Sequence, residues 1–168
     1  AASDVYKRQD NKLIVGIADM KMTRDDGMLI TYALGSCLGI CLYDPLLRLA
    51  ALVHVMLPLN METNRKSPLK YADTGIRETL RKMEEQGGSR ARIVAKMAGG
   101  ARMFNVPGGG SLGNIGQRNI ESAHLVLRRE GIRLLREDVG GSTARTLLFD
   151  ALNGQACVRS YGKPELIF

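Results

Sequence analysis

Several of the short apolar runs in this chain are apolar on both of their alternating faces. A strand of that kind has to be covered on both sides. The runs are Lys12–Asp19, Met28–Ala33, Leu38–Tyr43 and Arg48–Met56, and Gly27, Gly35 and Asp44-Pro45 punctuate them with turn chemistry. The polar stretch from Leu57 to Lys70, with Pro58 and Pro68, reads as a loop. From Tyr71 to Gln86 the period changes. Ile76, Leu80 and Met83 share one face of a helix, Asp73 is a candidate cap, and Gly87-Gly88 ends the run. Arg92–Ala98 is another strand, and a glycine-rich loop spans Val106–Gly113. A second helix is predicted over Ile115–Glu130, with Ile120, Ala123 and Leu127 inward and Gly131 as its stop. Ile132–Glu137, Ala144–Asp150 and Gln155–Tyr161 close the chain as strands, the last two linked by the hairpin signal Asn153-Gly154.

Two helices cannot cover both faces of that much strand. The expected fold is therefore an α/β sandwich of two mixed sheets, with the two helices packed on one outer face. A length of 168 residues suits one domain. The opening AASDVYKRQ is unlike the rest, so residues 1–11 are read as a disordered or non-native leader. Residues 12–168 are read as a single domain.

A chain with 45% hydrophobic and 24% charged residues can build an ordinary core without a disulfide or metal staple. Its three cysteines, Cys37, Cys41 and Cys157, are odd in number and fit no zinc spacing. Four residues of strand span about 13 Å, too far for a Cys37–Cys41 disulfide. With only two histidines, no metal and no cofactor is expected. No apolar run reaches the roughly 18 residues of a membrane span and no charged-then-apolar leader is visible, so the expectation is a cytoplasmic protein without membrane insertion. The formal charge of +7 favours an acidic partner. Aromatic residues make up 5% and no stacking motif is present, which argues against nucleic acid. Gly108–Gly113 spells G-x-G-x-x-G, but no clear strand precedes it and no Walker lysine follows, so it reads as a loop and not a nucleotide site.

One pair of residues carries chemistry. Cys37 follows Gly35-Ser36 at the end of a strand pattern, where the backbone N–H groups of Gly35 and Ser36 are placed to depress a thiol pKa or to hold an oxyanion. A hairpin centred near Leu46 makes paired residue numbers sum to 91 or 92. Cys37 then faces His54 or Val55. Directly opposed side chains have Cβ atoms about 4.5–5.5 Å apart, near enough for a nucleophile–base dyad. A one-residue slip would turn His54 to the other face. The ordinary alternative is a core cysteine and a core histidine, the latter between Val53 and Val55.

Longer blocks decide between these. Thr31-Tyr-Ala-Leu-Gly-Ser-Cys37-Leu-Gly-Ile-Cys-Leu-Tyr-Asp44 and Val53-His54-Val-Met-Leu-Pro58 resemble the CheD family of chemoreceptor glutamine deamidases. Tyr71-Ala-Asp73, Gly99-Gly-Ala-Arg-Met-Phe104, Asn114-Ile-Gly-Gln-Arg-Asn119 and Glu137-Asp-Val-Gly-Gly141 continue the resemblance in order. One departure is a longer Gly/Pro loop at Val106–Leu112. The resemblance implies a protein-glutamine deamidase of chemotaxis adaptation, with Cys37, His54 and Thr31 as catalytic triad and a thioester intermediate. It also implies chemoreceptor cytoplasmic helices as substrate and a CheC-type phosphatase as regulatory partner. Leu34, Leu38, Val53, Val55, Met56 and Leu57 are expected to form an apolar rim suited to a glutamine presented by a packed helix. The other class of reading is a non-catalytic binding module for an acidic chemotaxis protein or RNA, supported by the basic charge.

Overall fold

The structure is a computed structural model and describes residues 12–61, 66–103 and 114–168. Its strands are β1 (Lys12–Ile14), β2 (Met20–Arg24), β3 (Met28–Leu34), β4 (Leu38–Asp44), β5 (Leu49–Val55), β6 (Val94–Gly99), β7 (Arg133–Val139), β8 (Arg145–Asp150), β9 (Ala156–Ser160) and β10 (Leu166–Ile167). The helices are α1 (Ala72–Glu85) and α2 (Ile115–Arg129). One sheet runs β1-β3-β8-β9-β10 and the other β2-β5-β4-β6-β7. Both are mixed, because β1 pairs β3 and β6 pairs β7 in parallel while the remaining pairs are antiparallel. This is the two-sheet sandwich that the apolar patterning predicts.

Alternation along the strands sorts the core into layers. On β4 and β5, Ile40, Leu42, Ala51 and Val53 pack with Ile76 and Leu80 of α1 and Ile120 and Val126 of α2. The opposite faces of those strands, with Cys41, Ala50 and Leu52, meet Leu29, Leu147, Phe149 and Val158 of the other sheet. Both helices thus cover one face of one sheet, and β4 and β5, wholly buried, run through the centre.

The structure departs from the expected elements in three places. The run Lys12–Asp19 is not one strand: β1 ends at Ile14, and β2 begins at Met20 in the other sheet. The Met20-Lys-Met22 alternation, whose methionines pack on the helix-side core, is the period-2 signal for β2. Asp73 does not cap α1. Tyr71 is the N-cap, and the Asp73 carboxylate accepts from the N–H groups of Thr74 and Asn60 at 2.8 and 3.0 Å. β10 is a two-residue edge pairing beyond the expected last strand. Residues 1–11 and the 106–113 loop, where a leader and a glycine-rich loop are expected, lie outside the described residues.

Candidate active site

The β4–β5 hairpin closes around Pro45–Arg48, with Arg48 at φ 49°. The turn is therefore centred between Leu46 and Leu47, half a residue beyond Leu46, and Asp44 pairs Leu49. Gly39, and not Cys37, therefore stands opposite His54. The pairs sum to 93, against the 91 or 92 expected: one more than the sum that set Cys37 opposite Val55, and two more than the sum that set it opposite His54, a shift that keeps side-chain parity. Cys37 packs against the inter-sheet core, the side to which His54 also turns to meet Thr31. At Gly39, opposite His54, a Cβ would lie 2.8 Å from Leu147 Cδ2 and 3.1 Å from Leu34 Cδ1, so a side chain there would have to displace those methyls.

Thr31 comes from the other sheet. It lies on the inward face of β3, just before a bulge at Tyr32–Ala33 where Ala33 takes φ 58°. Its hydroxyl is 2.7 Å from His54 Nδ1 and 2.8 Å from the Val15 carbonyl oxygen. The carbonyl can only accept, so the Thr31 proton goes to Val15. The Thr31 oxygen then accepts from Nδ1–H. This fixes the neutral tautomer with its lone pair on Nε2. The His54 backbone is also clamped: Ala18 N–H donates to its carbonyl (2.9 Å), and its N–H donates to Asp19 O (3.0 Å). His54 is fully buried, and Nε2 has no hydrogen-bond partner among the described residues. Burial lowers its pKa to about 4, so the imidazole is a neutral base at ordinary pH.

Cys37 is half-buried. Burial raises its thiol pKa, opposed by its own backbone N–H. The thiol and imidazole are therefore both neutral at rest, and the structure shows no Cys37–His54 hydrogen bond. The turn that carries Cys37 is held through its carbonyls. Gly35 O accepts from Ala101 N–H at 2.8 Å, Cys37 O from Gly100 N–H at 2.8 Å, and Ser36 O from Asn119 Nδ2 at 2.8 Å. Gly35 N–H is already committed to Ala33 O at 3.0 Å, so the turn's candidate oxyanion donors are the N–H groups of Ser36 and Cys37.

Other sequence expectations meet the structure as follows. Leu34, Leu38, Val53 and Val55 are buried core residues and form no rim; only Met56 and Leu57 are partly exposed. The exposed apolar side chains beside the site are Ile17 (58%), Tyr32 (50%) and Met103 (43%). Tyr32 follows Thr31, Ile17 precedes the Ala18 that holds His54, and Met103 lies over Gly35. Cys41 and Cys157 are buried, and burial pushes the Cys41 thiol far up. His124 Nε2 lies 2.6 Å from the Glu137 carboxylate. Asn119, present in the quoted motif, had no assigned role; its signal is a polar residue on the apolar arc that also holds Ile120 and Ala123.

A two-sheet α/β sandwich with a half-buried thiol, an oriented neutral imidazole and a supporting hydroxyl at one end of its central hairpin is the class that fold and site define. The chain belongs to the CheD family, whose profile, described as CheD chemotactic sensory transduction, matches residues 56–160. A relative from Desulforamulus reducens, named probable chemoreceptor glutamine deamidase CheD, is 44% identical over 151 residues, covering 89% of this chain and 91% of the relative. A relative of the same name from Syntrophomonas wolfei is 42% identical over 154 residues, covering 91% and 96%. Among solved structures, a Neisseria meningitidis protein of the DUF152 family superposes with a TM-score of 0.52 at 12% identity, over 88% of this chain and 79% of that one. That likeness concerns the fold alone.

Proposed function

We propose that this chain is a protein-glutamine deamidase that converts glutamine side chains of chemoreceptors to glutamate with release of ammonia, using Cys37, His54 and Thr31. The observation that carries the reading is the Thr31 bridge. A hydroxyl whose proton is committed to Val15 must accept from Nδ1–H, which leaves Nε2 as an unpartnered base between the sheets, where Cys37 also packs. The names of the relatives supply the substrate class.

In this mechanism Nε2 takes the Cys37 proton as the sulfur attacks the amide carbon. The carbonyl oxygen becomes an oxyanion held by the N–H groups of Ser36 and Cys37. The tetrahedral intermediate collapses as Nε2–H gives its proton to the leaving nitrogen, and ammonia departs. Water, deprotonated by the same nitrogen, then hydrolyses the thioester to glutamate and regenerates the thiol. Thr31 holds the ring throughout and supports the transient imidazolium. Because both groups are neutral at rest, proton transfer accompanies attack; no preformed thiolate is required. A cytoplasmic location and a CheC-type phosphatase as regulatory partner belong to the same reading, since receptor helices of this kind are cytoplasmic.

The test is incubation with a chemoreceptor cytoplasmic fragment, read by mass spectrometry and ammonia release. The wild-type chain should add about 1 Da per modified glutamine, the mass difference of amide and acid. Cys37→Ala should abolish the reaction, while Cys41→Ser and Cys157→Ser retain most of it, because those thiols are buried away from the site. Turnover by folded Cys37→Ala would eliminate the mechanism. A wild-type protein that binds the fragment without releasing ammonia would leave the non-catalytic binding module.

A further inference from the structure

Beyond Leu38–Val55 the β4–β5 ladder stops. The next pair would be Cys37 with Met56, but the strands part there and the gap is bridged by one side chain. Asn119 of α2 donates from Nδ2 to Ser36 O at 2.8 Å and to Met56 O at 3.0 Å. Two carbonyl oxygens can only accept, so a group with two donors on one atom is needed, and the amide orientation follows without ambiguity. Asn119 is fully buried. α2 is pressed close enough to reach: a Cβ on Gly116 would lie 2.5 Å from Ala101 O and 2.6 Å from Gly100 O, in the segment that ties down Cys37 O and Gly35 O.

In a trans peptide the C=O and the following N–H point in opposite directions. Holding Ser36 O therefore aims the Cys37 N–H. We infer that Asn119 is a positioning residue: by fixing the Ser36–Cys37 peptide plane against the end of β5, it orients the Cys37 N–H toward the oxyanion that forms when the Cys37 thiol attacks a carbonyl. The inference rests on Cys37 as the nucleophile proposed above, and on no particular receptor. Its neighbour Ser122 offers a built-in comparison. Ser122 is also buried on α2 and donates to a backbone carbonyl, Pro58 O, at 2.6 Å, a carbonyl outside the Cys37 turn.

Two reactions of Cys37 separate positioning from mere stability. Acylation by p-nitrophenyl acetate joins the Cys37 sulfur to the acetyl carbon, passes through an oxyanion and expels p-nitrophenolate. Alkylation by iodoacetamide joins the sulfur to the methylene carbon and expels iodide, with no oxyanion. Both are followed at Cys37 by peptide mass spectrometry in the full chain. Asn119→Leu, which keeps the volume and removes both donors, should slow acylation at least about tenfold, as expected for a displaced oxyanion donor, and leave alkylation within about threefold. On the receptor fragment it should lower kcat with KM little changed. Ser122→Ala should lower Tm yet leave both rates near wild type. If Asn119→Leu does not fold, Asn119→Asp, of the same shape, serves for the same comparison. Equal loss in both reactions, or loss in neither, would overturn the inference. If the wild-type chain released no ammonia but the acylation–alkylation split appeared, the deamidase reading would fall and the role of Asn119 would stand.

Discussion

His54 is an imidazole kept neutral by its surroundings, and that has a thermodynamic consequence. Burial lowers its pKa from 6.5 to about 4. Between those values the unfolded chain binds a proton that the native state does not, so stability rises with pH there. The contribution is fully present above about pH 6.5 and is lost as pH falls toward 4, on the order of 3 kcal/mol in total. Tm measured from pH 7.5 to 4.5 should drop more steeply in the wild-type chain than in His54→Gln; parallel curves would assign the titration to another group. In catalysis, His54→Gln should cost at least about 100-fold in kcat, the worth of general-base help. Thr31→Val should cost less, since it loosens the ring without removing the base, and kinetics showing Thr31→Val as the more severe change would give Thr31 a direct role. That Cys37 and His54 lie near each other at one end of a hairpin was legible in the sequence because hairpin pairing is local, even though the pair sum was low by one or two. The Thr31–His54 contact was not. It joins two sheets, and only the family resemblance pointed to Thr31. Val15, which decides the tautomer, gives no signal at all, because it acts through its carbonyl.

At the scale of elements, the site is built where regular structure fails: the bulge after Thr31, the parted ends of β4 and β5, and two alanines at positive φ, Ala18 and Ala33. Strained backbone of this kind persists only where surrounding contacts hold it. Helix faces and buried strands were readable from periodicity, whereas the split between β1 and β2 was hidden inside one continuous run, since period alone does not say which sheet a residue joins. The far end of the hairpin is held by an ionic staple. Asp44, fully buried, takes hydrogen bonds from Arg92 at 2.8 and 2.9 Å, from Ser89 N–H at 3.0 Å and from Leu46 N–H at 3.1 Å. Burial alone would raise its pKa, but the Arg92 and Ser89 hydrogen bonds outweigh that and hold the carboxyl below its ordinary value. Arg92→Ala leaves a buried carboxylate short of a partner and should lower unfolding stability by roughly 1–3 kcal/mol in a denaturant titration. Activity per folded molecule should stay near normal, because the staple lies at the opposite end of β4 from Cys37. A stability change within error would mean that Leu46 and Ser89 suffice.

For the whole molecule, the governing quantity is charge. A formal +7 on 168 residues produces a field that gathers anionic partners before contact. The exposed apolar side chains beside the site, Ile17, Tyr32 and Met103, offer contact area for a packed helix. A site for free glutamine would instead need a buried acid for the ammonium and an arginine or helix N-terminus for the carboxylate. The sequence pointed to the proposed substrate class for a partly mistaken reason: most of its expected rim is core, and the exposed apolar side chains at the candidate site are residues next to Thr31, His54 and Cys37 in chain or in space. If acidic receptor helices are steered to this surface, the steering must weaken as salt shortens the screening length from about 30 Å at 0.01 M to about 8 Å at 0.15 M. kcat/KM on a receptor fragment should therefore fall severalfold between those salt concentrations while kcat changes little, because the proposed base, His54, is a buried imidazole that salt does not reach. Free glutamine, a net-neutral zwitterion at pH 7, should be turned over negligibly at either concentration. Equal efficiency on free glutamine and on the fragment, with no salt effect on either, would replace the protein substrate with a small molecule.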